Sequence, residues 1–243
     1  MRCPAVITVV WFATVWFAAV CGASAPAAAA GPPTPPGEAD LERGRAVARG
    51  DATGLPAGAA CHTCHGPDGA GDRSGAFPRI GGQPAWYLYK QLDDYASGAR
   101  RNAVMEPIAR ALAARQRQDV AAFYAAQVPA AAAPARSADP ALLQRGGSIA
   151  AAGLAEKSVA ACVNCHGPRG RGLPPTYPYL AGQYAPYVAL QFRAWKDGAR
   201  RNDPLGVMRH IARQLSEDDV RALATYFASL PPPAPAREAV VRP

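Results

Sequence analysis

Lysine is nearly missing from this chain. Lys90, Lys157 and Lys196 are the only three in 243 residues, against 23 arginines. Arginine, alanine, proline and glycine share G/C-rich codons, so genomic composition explains the imbalance before any function does. No basic run interleaved with aromatics occurs, which removes the usual footprint of nucleic-acid binding. No convincing alternating pattern is present, so a sheet-based fold is not expected. The N-terminal apolar run, Ala5 to Val20, is a little short for a comfortable membrane span. Methionine is scarce too: past the initiator there are only Met105 and Met208. Cysteine is confined to Cys3 and Cys21 near the N-terminus and to two pentapeptides.

Those pentapeptides are Cys61-His62-Thr63-Cys64-His65 and Cys162-Val163-Asn164-Cys165-His166. In C-x-x-C-H, two thiols add to the vinyl groups of one haem and the adjacent imidazole becomes the first axial ligand of iron. The two-residue gap lets both sulfurs reach one side of a flat macrocycle while the histidine turns underneath it. A dithiol oxidoreductase would want a βαβ setting, and these flanks read as loop and helix. A structural zinc site could use the same cysteines and histidines, but it would leave the methionines unexplained.

An isolated methionine is ordinarily a core filler. Here Met105 lies 40 residues past His65 and Met208 lies 42 past His166. Gly98-Ala99-Arg100-Arg101-Asn102 precedes the first and Gly198-Ala199-Arg200-Arg201-Asn202 the second, and Ile-Ala-Arg follows both. Matching repeat positions downstream of matching haem motifs make Met105 and Met208 the expected second axial ligands.

The duplication extends further. Arg43-Gly44 answers Arg145-Gly146, Phe77 to Gln83 answers Tyr177 to Gln183, and Phe123-Tyr124 answers Tyr226-Phe227. The expected organisation is a signal peptide over 1–30, a first domain over 38–128, an Ala/Pro linker over 129–140, a second domain over 141–232 and a tail over 233–243. The charged Arg2, the apolar run and the small residues Cys21 to Ala30 follow the order of a secretory signal. Cleavage after Ala30 is favoured, and an uncleaved anchor is the alternative. Export would leave four mature cysteines, all consumed by haem. Each domain reads as helical: Leu41 to Arg49 stopped by Gly50, a face of Tyr87, Leu88, Gln91, Leu92 and Tyr95 ended by Gly98, and a last helix capped by Ser216 with Asp219. The first-half equivalent of that last helix, around Val120 to Ala126, lacks the serine. The expected fold is all-α, with two tandem helical domains.

These motifs together resemble the cytochrome c4 family of diheme cytochromes c. The likeness rests on C-x-x-C-H, Pro-x-[Ile/Leu]-x-Gly-Gln, Gly-x-Arg-x-Asn, the methionine and a terminal helix with paired aromatics, and it spans about residues 40 to 232. It implies two class I cytochrome c folds about a pseudo-two-fold axis, with the haem propionate edges near the interface. It implies that the Pro78 and Pro178 carbonyls accept hydrogen bonds from His65 and His166, fixing their tautomers. It also implies a periplasmic electron carrier, soluble or loosely membrane-associated. The first methionine loop departs from the second, lacking three residues found between Asp203 and Val207.

His and Met together fill the axial positions of iron and raise its potential relative to bis-His ligation, so no position is left open for substrate. The expectation is an electron carrier and not an enzyme. It would run between a quinol-oxidising complex and a terminal oxidase, with a mildly basic face to steer an acidic partner. The alternative is the diheme subunit of a dehydrogenase complex, such as a flavocytochrome c sulfide dehydrogenase. His62, at an x position of its motif, is expected to point to solvent, and His210 to another side of the chain. Arg101 and Arg201 are open between pairing with haem propionates and solvation. Trp86, aligned with Pro186, is expected to pack.

Two covalent haems per polypeptide are therefore expected in a pyridine haemochrome assay and in haem staining of denatured protein. Replacing Cys61 and Cys64 with Ala should remove one haem and leave the second half's spectrum largely intact; haem extractable by acid acetone would refute the assignment.

Overall fold

The computed structural model describes residues 39–51, 54–128 and 139–233. The expected signal segment 1–30 lies outside them, as do nearly all of the linker and the tail. Ten α-helices form two sets of five among the described residues. The first set is α1 (Leu41–Arg49), α2 (Cys61–His65), α3 (Ala85–Ser97), α4 (Met105–Ala111) and α5 (Ala114–Ala125). The second is α6 (Pro140–Ala152), α7 (Val163–His166), α8 (Ala185–Lys196), α9 (Val207–Gln214) and α10 (Glu217–Ser229). No strand occurs in the described chain, only isolated antiparallel bridges. No helix there is long and apolar enough to cross a membrane.

Local chemistry sets the helix ends. Asp40 accepts from the backbone N–H of Glu42 and Arg43 at 2.9 Å each and starts α1. Gly50 and Gly98 end α1 and α3 in the left-handed region. Ser216 and Asp219 form the expected reciprocal box on α10: Ser216 Oγ accepts at 3.1 Å and Asp219 accepts back at 3.0 Å. Its counterpart α5 begins at an alanine that cannot cap, and Gln116 alone accepts, from the Ala113 N–H at 2.8 Å.

In each half the first helix crosses the last at backbone contact. A Cβ on Gly44 would lie 2.1 Å from the Asp119 carbonyl oxygen, and one on Gly146 would lie 2.2 Å from that of Ala222. The repeated Arg-Gly pair thus has two tasks, because the arginine beside each glycine reaches a buried aspartate. Arg43 meets Asp119 at 2.9 Å, and Arg145 meets Asp219 together with Lys157 at 2.9 Å. Around each crossing lies an apolar core. Val47, Leu88, Leu112, Val120 and Phe123 build the first. Ile149, Phe192, Trp195, Leu223 and Phe227 build the second. Burying one such side chain contributes about 1.5–3 kcal/mol.

The two sets meet along a seam with two-fold character. Arg101 N–H donates to the Ala199 carbonyl at 2.8 Å and Arg201 N–H to that of Ala99 at 3.0 Å. Gln83 donates to the Tyr179 carbonyl at 3.0 Å and accepts from the Tyr179 N–H at 3.1 Å. Gln183 does the same to Arg79, at 2.8 and 3.0 Å. Tyr184 and Tyr179 reach across to the carbonyls of Ala70 and Gly81 at 2.8 and 2.6 Å. The arginine and glutamine bonds, made from both sides by matching residues, are isologous, and the two tyrosine bonds run from the second half only.

Burial raises the pKa of Asp219, but hydrogen bonds from Lys157, Ser216 and Arg145 outweigh it and hold the carboxyl well below its usual range. Its stabilising contribution is therefore complete above the unfolded value of about 3.9 and is lost as pH falls through the lower folded value. Asp219→Asn should cost about 2 kcal/mol between pH 5 and 8. The difference from the unmutated protein should shrink below about pH 4 in chemical denaturation series.

Candidate haem-attachment sites

The motif in each half is a single helical turn, which puts two thiols and an imidazole on one short rigid piece of chain. All four cysteines are free and half-buried. Burial pushes the Cys61 and Cys162 thiols up to about 11. They are thiols at neutral pH, unlike the low-pKa thiolates of dithiol oxidoreductases. Among the described residues no group of three or more His, Cys, Asp or Glu is arranged to hold a metal ion.

His65 Nδ1 lies 3.1 Å from the Pro78 carbonyl oxygen and His166 Nδ1 lies 2.9 Å from that of Pro178. A carbonyl only accepts, so Nδ1 carries the proton in both rings and Nε2 is left with its lone pair outward. Burial, the largest cause, lowers both histidine pKa values, which keeps the rings neutral and able to ligate. Phe77 and Tyr177 stand edge-on to these rings at 6.5 and 6.1 Å.

Backbone bonds hold the carbonyl in place. Gly71 N–H donates to the His65 carbonyl at 2.8 Å, and the N–H groups of Ile80 and Gly81 both donate to that of Gly69. Gly82 then ties the loop to Tyr124 of α5 at 2.9 Å. In the second half Gly172, Leu180, Ala181 and Gly182 repeat the pattern onto His166, Gly170 and Phe227. Gly71 has φ +69°, and a Cβ there would fall 2.2 Å from the Phe77 carbonyl oxygen and 2.6 Å from that of Pro78. Only glycine lets the chain pass under the histidine's acceptor.

The methionines sit at matching helix starts with different surroundings. Met208 is on α9 and packs against the second core, as Cys162 does. Met105 opens α4, and Asn102 accepts from its N–H at 2.9 Å. In the longer second loop Asp203 binds Arg209 instead, Gly206 turns left-handed and Leu205 stands 88% exposed. Two thiols on one turn, an outward Nε2 on a tautomer fixed by its acceptor and a half-buried methionine fit the donor set of haem c in both halves.

The remaining sequence expectations divide. His62 does not point to solvent; its Nδ1 is 2.9 Å from the Ala48 carbonyl and the ring is half-buried, because the first turn of the motif leans on α1. His210 is exposed, 3.2 Å from the Ser158 carbonyl, and Trp86 is half-buried. Arg101 and Arg201 are exposed, while their neighbours Arg100 and Arg200 turn inward and are 4% and 8% exposed. The extended Arg-Arg pair must send alternate side chains to opposite faces, and the sequence does not say which goes in.

Arg100 donates to Gln91 at 2.9 Å, Tyr187 at 2.8 Å and Gln191 at 2.7 Å. Arg200 donates to Asn202 and Gln91 at 3.1 Å each, Gln191 at 3.0 Å and Tyr87 at 3.4 Å. Each guanidinium also stacks within its own half, on Tyr95 at 4.7 Å and on Trp195 at 4.4 Å. Because both donate to the same glutamine oxygens, they lie within about 6 Å of each other and repel by roughly 3 kcal/mol at an effective dielectric near 20. Burial raises the Tyr87 phenol, but Arg200 and Arg100 more than offset this and pull it below its ordinary value.

Residues 43–127 and 151–231 both match the family described as Cytochrome c. The chain is 46% identical over 175 residues to the "Thiosulfate dehydrogenase electron acceptor" of Stutzerimonas stutzeri (strain A1501), covering 72% of this chain and 81% of that one. It is 36% identical over 199 residues to "Cytochrome c4" of Azotobacter vinelandii, covering 77% and 92%. The crystal structure of reduced recombinant cytochrome c4 from Pseudomonas stutzeri superposes with a TM-score of 0.68 at 32% identity, covering 79% of this chain and 99% of that one.

Gly71→Ala should shift the Pro78 carbonyl, cost more than about 2 kcal/mol and alter only the first half's haem spectrum. Gly58→Ala is the control: its φ is +75° with nothing within 4 Å of a new Cβ, so it should cost about 1 kcal/mol and leave the spectrum unchanged. Thermal melts and visible spectra of the two variants separate strain alone from displacement of the histidine's acceptor.

Proposed function

This chain belongs to the cytochrome c4 family of two-haem cytochromes c, and from that premise we propose that it is a periplasmic carrier that takes electrons from a dehydrogenase and passes them to a terminal oxidase. Thiosulfate dehydrogenase is the favoured donor, on the 46% identity to a protein named as that enzyme's electron acceptor. Two imidazole sites of the same geometry, each with Nδ1 locked on a proline carbonyl, carry the reading.

Two covalently bound haem c groups are the chain's cofactors, and each supplies a one-electron iron couple when bound. Cys61 and Cys64 hold the first and Cys162 and Cys165 the second. His65 and His166, through Nε2, and Met105 and Met208, through sulfur, would hold the irons. With one imidazole and one thioether from the chain on each iron, neither half would leave a substrate a place on the metal. The remaining task of the fold is to keep ligands and water from rearranging when charge changes. Helices crossing at backbone contact and carbonyls tied by several N–H groups do that. The formal charge of +8 favours an acidic partner at long range.

The oxidised protein should show the weak far-red band of methionine sulfur on ferric haem, with Met208→Ala removing about half of it and opening that iron to cyanide. If neither methionine substitution alters the band, the ligand assignment is wrong. Mixed with thiosulfate dehydrogenase and thiosulfate, the protein should be reduced rapidly, more slowly as salt rises, and it should oxidise no thiosulfate alone. Turnover by the isolated protein would overturn the carrier reading, and cell fractionation tests the location.

A further inference from the structure

The two methionine helices are held in place by different forces. In the second half Met208 and Ile211 of α9 pack against the core, and Ala212 and Leu215 are part of it. In the first half the chain of α4 reaches the core through Leu112, and among the described side chains neither Met105 nor Ile108 packs on it. Polar bonds hold α4 instead. At its start Asn102 accepts from the Met105 N–H and Glu106 accepts from the Asn102 N–H, both at 2.9 Å. Arg110 ties Glu106, at 2.9 Å, to the Ala96 carbonyl of α3, at 3.2 Å. At its end Arg117 of α5 turns its guanidinium back over the helix. It donates to the Leu112 carbonyl at 2.6 Å, to the Ala109 carbonyl at 3.3 Å and to Asp93 of α3 at 3.0 Å. Three helices thus meet at one side chain that is only 14% exposed. Its Nε is buried without a partner, so the charge is drawn inward at a cost that the carbonyls and the carboxylate offset.

Both members of this clasp belong to the first half alone. Met105 and Met208, Leu112 and Leu215, and Phe123 and Tyr226 are each 103 residues apart, and at that spacing Arg117 answers Val220. Val220 is a buried member of the second core. On α3, Gln91 and Arg100 answer Gln191 and Arg200 at a spacing of 100, so Asp93 answers Arg193, which is exposed. Where one half carries an arginine and its carboxylate, the other carries an apolar contact and a solvated charge. We propose that Arg117 is the positioning residue for Met105, holding the end of the methionine helix against Asp93 so that the sulfur stays on the first iron. The last carbonyls of a helix have no partner within it, and a guanidinium fork can bind two of them and a carboxylate together. A helix of seven residues is only about 10 Å long, so a tilt of its last turn is felt at its first residue. Ligation in the first half therefore depends on charge pairing, and in the second on burial. The proposal rests on Met105 being the first half's sulfur ligand.

Arg117→Met keeps an unbranched chain and removes the charge with its donors. In the ferric two-haem protein cyanide reaches an iron only when the methionine has left it, so the binding rate reads how often that happens. Cyanide should bind the first iron about tenfold faster, the effect of losing about one hydrogen bond from a charged group. The second iron should be unchanged, its phase identified in the variant lacking Cys61 and Cys64. Amide hydrogen exchange should quicken in α4 and stay the same in α9. Arg117→Lys, which keeps the charge without the fork, should fall between. Asp93→Asn, at a carboxylate 44% exposed, should speed cyanide in the same half and gives the test if Arg117→Met does not fold. A lower melting temperature with the first iron's cyanide rate unmoved would leave Arg117 a structural residue and overturn the proposal. Equal acceleration at both irons would overturn it too. An unmutated first half without the far-red methionine band would remove the ligand reading, and this proposal with it.

Discussion

One hydrogen bond per half, from histidine Nδ1 to a proline carbonyl, is the constraint around which the rest is arranged. It decides which imidazole nitrogen faces outward, and it can do so only if the carbonyl is immobile. The chain spends several backbone N–H groups, a left-handed glycine and a tie to the terminal helix on that immobility. The same stretch then continues into Gln83 or Gln183, which clamps the opposite half. Ligand orientation and domain pairing are consequently one structural commitment. A loop that slipped in register would misplace its own carbonyl and release its partner at once.

The halves are alike where backbone is read and diverge where side chains are free. Gln83 binds the N–H and C=O of Tyr179, and Gln183 those of Arg79, so these bonds are made to backbone atoms. Those two positions could therefore become an arginine, 1% exposed, and a tyrosine whose hydroxyl crosses the seam. The methionine loops diverge as well. Asn102 organises the short one through the N–H groups of Val104 and Met105, whereas Asp203 holds the long one through both the backbone N–H and the side chain of Arg209. Unequal ligand surroundings in an otherwise repeated scaffold are a physical basis for unequal potentials.

Much of this was legible in residue order. The paired pentapeptides, the two methionines, Gly50 and Gly98 as stops and the Ser216–Asp219 box are local signals, and local signals survive translation into structure. The Pro78 and Pro178 acceptors came from resemblance to a family, because nothing in the sequence spacing says which carbonyl a ring will find. The seam was not legible. Gln91 and Gln191 look like ordinary polar positions on amphipathic helices until a second copy is laid against them. Arg100 and Arg101 are indistinguishable until the extended backbone is placed and one side chain turns in. His62 was misjudged for the same reason: its acceptor, the Ala48 carbonyl, lies on another helix.

The isologous seam also says something about origin. A surface whose bonds are repeated by a two-fold operation is complementary to itself, which is the kind of contact by which two identical copies pair. Joining two copies in one polypeptide removes the concentration dependence of that pairing and frees the copies to differ. Arg79 opposite Tyr179, and a methionine loop lengthened on one side only, are what such freedom leaves behind: a symmetric handshake between partners that can no longer exchange places.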